Sequence, residues 1–250
     1  MAAKCDAAAE LIRLGQERFE SPPGELVDET GNPEANRLLN DLNGHPHIFV
    51  LGCLAMVIVS AKRAWLMPYE LGNRLRGHSF DQMAAQPEKA VLRAMTQPTP
   101  LHAYPQRMAE RASSALRRIR RDYGGDASRI WSGCPSSAEV VFRFLQFDGF
   151  GPKLACMTAN LLVRDFGVRL SDHYSIDVSV DVHVRRIFPR AGLVPEHSSD
   201  EALIYKARAI NPEYPGVIDF PVWEIGNRWC RRARYRPVFF RTRPPPLVRR

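Results

Sequence analysis

Residues 140–167 read VVFRFLQFDGFGPKLACMTANLLVRDFG, and this stretch decides the fold. Two apolar runs with helical spacing flank a short segment, FDGFGPK, at residues 147–153. Gly149 and Gly151 permit the positive φ angles of a tight turn and let a ligand approach bare backbone amides. Pro152 favours the first turn of the helix that follows it. The stretch therefore predicts a helix, a hairpin and a second helix.

The start of the second helix is a predicted anion site. Backbone N–H groups point out of a helix N-terminus, and phosphate is the anion that best uses them. Lys153 falls in the first helical turn, where the positive end of the helix dipole and partial burial both favour the neutral amine. A neutral lysine is a nucleophile that forms a Schiff base with a sugar aldehyde, whereas a charged one only contacts phosphate. Both roles are open at this point.

The hairpin, together with the later segment Val180-Asp181-Val182-His183-Val184, resembles a known signature. It is similar to the helix-hairpin-helix and aspartate signature of the endonuclease III and 8-oxoguanine DNA glycosylase superfamily. The resemblance extends from about Phe49 to Cys230. It implies that Lys153 attacks C1′ of a damaged nucleotide, and that Asp181 stabilises the developing sugar cation and assists proton transfer.

The same resemblance implies further contacts with DNA. Gly149, Phe150 and Gly151 form the hairpin that grips the backbone, and His183 donates to a phosphate. Lys62, in the segment Val59-Ser60-Ala61-Lys62, stands where relatives place the residue that fills the gap left by the flipped nucleotide. Glutamine is usual there, so the lysine is a departure, and an ordinary exposed lysine at a helix end is the alternative.

Two other departures concern the catalytic residues. Asp148 replaces the proline usual in the hairpin, and its charge does not favour phosphate binding. Asp181 lies 28 positions after Lys153, a longer interval than usual, with the extra residues at 168–180. That insertion also contains Asp172 and Asp177, so the choice of Asp181 depends on its Val-Asp-Val-His-Val context. Helix N-capping is the alternative role for Asp181.

The resemblance implies a bifunctional DNA glycosylase and AP lyase. Such an enzyme flips a damaged base, here an oxidised one, out of double-stranded DNA and nicks the strand by β-elimination. A monofunctional glycosylase that uses water as nucleophile is one alternative, and a non-catalytic hairpin protein that only binds DNA is another. The expected partner is duplex DNA with a damaged base or an abasic site, bound by a monomer.

Composition and charge fit a DNA-binding protein without membrane segments. The 250 residues are 45% hydrophobic and 25% charged, and the apolar run at residues 48–59 is too short to span a bilayer. No secretory signal pattern opens the chain, so a cytoplasmic location, nucleoid-associated if bacterial, is expected. The net charge of +8 comes from eight arginines in the Pro/Arg tail at 231–250, which either binds DNA or is only solvated.

The five cysteines are scattered and include no C-x-x-C pair, which argues against a zinc or disulfide framework. Many endonuclease III relatives end in four cysteines that hold an iron–sulfur cluster. Here Cys230 resembles the first of them and no others follow. We therefore expect no cluster and no metal, with Cys230 an inert core thiol.

Apolar periodicity predicts an all-α chain, and the resemblance implies two helical lobes with an active site in the cleft between them. The expected organisation is N-terminal helices at 1–45 that pack with the C-terminal lobe, and a helical lobe at 46–167 that ends in the hairpin motif. The insertion, the aspartate helix and the last helices occupy 168–230, and the tail follows. A strong buried helix is predicted for Phe49–Arg63, and Trp223 and Trp229 fall near the expected base pocket.

Overall fold

The computed structural model describes residues 6–23 and 30–228, and over these ranges it contains twelve α-helices and no strand. The all-α prediction is confirmed. The helices are α1 (Ala7–Glu20), α2 (Pro33–Asn40), α3 (Pro46–Leu54), α4 (Ala61–Leu75), α5 (Phe80–Ala84), α6 (Glu88–Thr96), α7 (Pro105–Tyr123), α8 (Ser137–Leu145), α9 (Pro152–Arg164), α10 (Val182–Arg190), α11 (Asp200–Ile210) and α12 (Asp219–Arg228).

The helices divide between two compact units. The central unit holds α2–α9 and runs from Pro23 to Ser171, and the terminal unit joins α1 to α10–α12. Helix α2 packs on α3 and α4, so residues 30–45 belong with the central unit rather than with the C-terminal helices, where the sequence analysis had put them. None of the helices in the described ranges is both long and apolar enough to cross a membrane.

Helix α3 is the centre of the central unit, and every one of its residues is buried. Phe49 is inaccessible to solvent, and its ring stacks on Trp65 at 6.2 Å and meets the edge of Trp131 at 5.9 Å. Gly52 lets α4 approach, because a Cβ at that position would stand 2.6 Å from the Trp65 ring. Burying a side chain such as Phe49 contributes roughly 2–3 kcal/mol, so these contacts hold the lobe together.

The helix predicted at Phe49–Arg63 is wrong, because two helices cover that range. Helix α3 ends at Leu54, and α4 begins at Ala61 with the Ser60 hydroxyl accepting from the Arg63 amide. The apolar run continues through the loop between them, so periodicity gives no stop signal there. Lys62 therefore lies at the beginning of a helix and not at the end of one.

Residues 172–180, most of the insertion at 168–180, belong to the terminal unit. Ile176 and Val178 are buried, and the Ile176 carbonyl accepts from the Gly216 amide at 2.7 Å. The Ser179 amide donates to the Asp219 carboxylate at 3.2 Å, at the start of α12. The extra residues thus lead the chain across the core of this unit to the beginning of α10.

Candidate functional site

The predicted helix-hairpin-helix is present as α8, a tight hairpin and α9. Phe144, Phe147 and Phe150 form a cluster with ring centroids 5.4–6.4 Å apart, and the Phe150 amide donates to the Phe147 carbonyl at 3.0 Å. Gly149 has φ = +98°, a conformation that disfavours any residue with a Cβ. Phe150 is buried, so it shapes the hairpin from inside rather than contacting DNA through its ring.

Helix α7 holds the hairpin from one side through two contacts. The Ser114 hydroxyl donates to the Asp148 carboxylate, which gives this aspartate a structural role. The Arg111 side chain covers Gly149, where a Cβ would stand 2.7 Å from Nε and 3.0 Å from Cζ. The hairpin therefore carries a positive group beside its glycine turn.

The N-terminus of α9 is open to solvent. Gly151 is its N-cap residue and provides no side-chain cap, and Pro152 has no N–H to donate. Gly151, Pro152 and Lys153 are all exposed, and nothing lies within 4 Å of the place that a Gly151 Cβ would take. The first-turn amides are therefore available to an anion. The partial burial expected for Lys153 is not observed.

The arginines of α7 fall into two groups. Those in its C-terminal half form ion pairs with carboxylates, which agrees with a solvated outer face. The pairs are Arg117–Glu88, Arg118–Asp122, Arg120–Asp81 and Arg121–Asp122. Arg107 and Arg111, in its N-terminal half, have no ion pair with any carboxylate among residues 6–23 and 30–228. The arginines of this helix without an ion pair therefore lie in its N-terminal half, and one of them, Arg111, contacts the hairpin.

Two exposed apolar side chains flank the start of α4 and were missed in the sequence. Ile58 is 73% exposed with φ = +61°, and Tyr104 is 52% exposed. A β-branched residue held in the left-handed region is strained, so the surrounding loops must impose that conformation. No periodic signal marks either residue, because their exposure depends on how the loops fold.

Buried His102 is a neutral imidazole that links the loop of Tyr104 to the loop of Ile58. Its Nδ1 accepts from the Tyr104 amide at 3.1 Å, so Nε2 carries the proton that is donated to the Ala55 carbonyl at 3.2 Å. Burial lowers the pKa of His102, and the nearby charges of Arg63 and Arg111 lower it further. The ring therefore stays neutral and keeps Tyr104 close to the Ile58 loop.

Lys62 belongs to the same part of the central unit. It is exposed in the first turn of α4, and its Nζ lies beside Gly31, 3.0 Å from the position of a Cβ there. The neighbouring Arg63 donates to the Leu101 and Pro100 carbonyls at 3.1 and 2.7 Å, which ties α4 to the loop of Tyr104. The central unit thus carries the cation of Lys62 at the start of α4 and the apolar side chains of Ile58 and Tyr104 on two loops linked to it.

Asp181 caps α10, as its alternative role predicted. Its Oδ1 accepts from the His183 amide at 2.7 Å and from the Val184 amide at 2.9 Å. These bonds orient the carboxylate at the helix start. Lys153 belongs to the central unit and Asp181 to the terminal unit. Capping does not exclude catalysis, since it engages one carboxylate oxygen.

His183 is packed into the terminal unit. It lies against Gly226 of α12, where a Cβ would stand 2.3 Å from Nδ1, and its ring meets Trp223 edge-on at 6.4 Å. Its Nδ1 is buried without a hydrogen-bond partner among the described residues. A phosphate contact by His183 would therefore have to use Nε2.

The two other acids of the insertion differ from Asp181 in their surroundings. Asp177 forms a two-pronged pair with Arg208, at 2.7 Å from Nε and 2.8 Å from Nη2. Asp172 stands beside His173, whose ring contacts Phe19 at 5.2 Å and Tyr214 at 4.9 Å. Asp177 thus has a structural role, because it pairs with Arg208 of α11. Among the three aspartates of the insertion and the segment that follows it, Asp181 is the one that begins a helix.

Cysteines and metals give no further site in the described residues. Burial raises the pKa of Cys53 to about 12, so this thiol is inert. No group of three or more His, Cys, Asp or Glu side chains within residues 6–23 and 30–228 is arranged to hold a metal ion. Cys230, Trp229 and the 231–250 tail lie outside the described residues, so the predictions on them, including the missing cluster, stay predictions.

Comparison with known proteins identifies the fold. No protein-family profile and no curated protein matches the chain. Solved structures do: a trapped endonuclease III–DNA covalent intermediate matches with TM-score 0.56 and 14% identity over 91% of this chain and 87% of that one. The Methanocaldococcus jannaschii 8-oxoguanine DNA glycosylase matches with 0.54 and 14% over 87% and 92%.

A DNA-3-methyladenine glycosidase from Bacillus halodurans matches with TM-score 0.55 and 14% identity over 92% of this chain and 93% of that one. The 8-oxoguanine and 3-methyladenine enzymes differ in the base named for each, while the helical framework is common to all three matched proteins. At this level of identity, the likeness establishes the fold. The chain has the all-helical fold of the helix-hairpin-helix DNA glycosylases.

Proposed function

We propose that this chain is a DNA glycosylase with AP lyase activity that removes a damaged, oxidised base. The observation that carries the proposal is the hairpin site, where an exposed lysine stands in the first turn of an uncapped helix beside a free arginine. Open amides and Arg111 attract a backbone phosphate, and Lys153 is then next to the deoxyribose chain. A covalent DNA intermediate of an endonuclease III supports the same chemistry on this fold.

In the proposed reaction, the Lys153 Nζ lone pair forms a bond to C1′ as the N-glycosidic bond breaks. The base leaves with the bonding electrons and takes up a proton. Asp181 stabilises the positive charge that develops on the sugar. The sugar ring opens to an imine, and loss of a C2′ proton then expels the 3′ phosphate, which nicks the strand.

Reaching C1′ requires the nucleotide to leave the duplex, at a cost of a few kcal/mol. In this proposal, the exposed Ile58 and Tyr104 side chains contact the stacked bases and offset part of that cost, because apolar wedges between base steps kink DNA. Lys62 lies in the same part of the central unit and either fills the space left by the flipped nucleotide or contacts a phosphate. The Val-Asp-Val-His context of Asp181 is what favours an oxidised base.

One observation favours a second function. Lys153 is exposed and Asp181 already caps a helix, which is also what a non-catalytic DNA-binding protein would show. In that case Lys153 only contacts phosphate. A monofunctional glycosylase would release the base without nicking.

Borohydride trapping separates these functions. The protein is incubated with an abasic-site duplex and with a panel of oxidised-base duplexes, and a reductant is added. We expect a covalent protein–DNA band that disappears in Lys153→Gln, with the strongest band naming the substrate. Base release without a band would indicate the monofunctional enzyme. Binding with neither product would leave the DNA-binding function.

A further inference from the structure

A cavity of about 740 Å³ lies at the C-terminal end of α4. It is bordered by the C-terminal ends of α4 and α6 and by the segment that follows α6. Three arginines, Arg74, Arg76 and Arg93, line it together with two glutamines and four apolar residues, and no acidic residue is among its lining. Its size falls within the range of small-molecule sites.

Arg74 is fixed in place without a counter-charge. Its Nη1 donates to the main-chain carbonyls of Ala94, Gln97 and Thr99 at 2.7, 2.7 and 2.8 Å. These acceptors are neutral, so the guanidinium keeps its full positive charge at the wall of the cavity. A cation held rigidly by carbonyls costs little to reorganise when an anion arrives.

Arg76 and Arg93 are exposed, and neither has an ion pair with another residue in the described ranges. The helix ends oppose an anion, because each C-terminus contributes about half a negative charge. Two helix ends against three guanidiniums leave roughly two positive charges in the cavity. The balance therefore favours an anion.

This cavity is separate from the proposed DNA surface. Lys62 lies in the first turn of α4 and Arg76 just past its last, so about 21 Å of helix separates them. A duplex gripped by the hairpin and Lys62 does not explain the arginines at the opposite end.

We propose that the cavity binds a phosphate ester that carries a planar or apolar group, such as a nucleoside monophosphate. Arg76 and Arg93 form charge-assisted hydrogen bonds to the phosphate, and the apolar side chains of Leu75 and Pro98 contact the rest of the molecule. The same chemistry is offered by a free nucleotide and by the 5′-phosphorylated end of a DNA strand. The proposal does not depend on the glycosylase function.

Isothermal titration of the full chain tests it with deoxyadenosine monophosphate, a 5′-phosphorylated tetranucleotide and inorganic phosphate. We expect one of the two organic probes to bind at least about tenfold more tightly than inorganic phosphate, and the tighter one identifies the source. Arg93→Gln should weaken binding about tenfold. Lys89→Gln removes one charge from the same helix outside the cavity and should change affinity less than about twofold.

Arg76→Gly guards against a folding artefact. Arg76 ends α4 with φ = +64°, so glycine relieves backbone strain while it removes the guanidinium. We expect a higher melting temperature together with about tenfold weaker binding. Equal losses in Lys89→Gln, no saturable binding of either organic probe, or loss in Lys153→Gln with retention in Arg93→Gln would each overturn the proposal.

Discussion

The N-termini of α9 and α10 present opposite solutions to the same physical problem. Each helix begins with amides that lack a partner inside the helix. In α10 the Asp181 carboxylate accepts from two of them, whereas Gly151 at the start of α9 offers no side chain. Arg111 adds positive charge near the open end, and a carboxylate closes the other. An open helix end receives an anion from outside, while a capped end holds its own carboxylate in a defined place.

The largest expected effect on activity comes from Lys153, at the open N-terminus of α9. Lys153→Gln removes the amine but leaves the glycines and the amides, so nicking of a damaged duplex should fall about a thousandfold. Duplex affinity should change less than about threefold, because the phosphate contacts remain. Single-turnover nicking and a binding titration measure the two, with Lys89→Gln as the charge-matched control. A Lys153→Gln protein that still nicks would refute the proposed nucleophile.

Substitutions of Asp181, at the capped N-terminus of α10, distinguish its structural role from its catalytic role. Asp181→Asn keeps an oxygen that can accept from the α10 amides, whereas Asp181→Ala removes the cap at a cost of about 1 kcal/mol. Both should lower base excision about a hundredfold, because both lose the charge that stabilises the sugar cation. Urea unfolding and excision kinetics are compared for the two variants. Full excision by Asp181→Asn would assign the residue to capping alone.

The two hairpin glycines sharpen the comparison further. Gly149→Ala must place a Cβ at φ = +98° and against Arg111, and we expect a loss of about 2 kcal/mol in the free energy of unfolding. Gly151→Ala projects into open space and should cost under about 1 kcal/mol. The double variant Gly149→Ala/Arg111→Ala should recover part of the loss. Equal costs for the two single variants would show that neither the positive φ of Gly149 nor its contact with Arg111 constrains the hairpin.

The smallest effect concerns the acid of the hairpin. Asp148→Asn keeps an acceptor for the Ser114 hydroxyl and removes a negative charge next to the open amides. Duplex affinity should rise about threefold at low salt and by less at high salt, because an exposed charge is screened. Affinity measured across a salt series checks this. A decrease in affinity at low salt would mean that the Asp148 charge supports the hairpin rather than opposing DNA.

Several features were predictable from sequence because they depend on neighbours along the chain. The hairpin glycines, the end of α7 at Gly124 and the Asp181 cap are local signals, and the structure has all three. The Ser136 cap of α8 is a similar local signal, because the Ser136 hydroxyl accepts from the Glu139 amide three residues later. Such signals act over three or four residues, so the sequence contains them in full.

Other features were not predictable because they depend on distant residues. The apolar run through Val59 gives no sign of the break after Leu54, since loop residues and core residues have the same composition there. The arginines of α7 look alike in sequence, and only Glu88 and Asp81 on other helices distinguish Arg117 and Arg120 from Arg111. The burial of Lys153 was misjudged for the same reason.

The sequence by itself determined that this chain is helical, where its hairpin lies and which residues begin α9 and α10, because caps, glycines and apolar spacing act locally. Only the tertiary structure decided which helix end stays open, which arginines keep an uncompensated charge, and that Asp177 holds Arg208 while Asp181 caps α10. Those outcomes depend on contacts between residues far apart in the chain. Packing of the helices creates these contacts, and no local pattern encodes them.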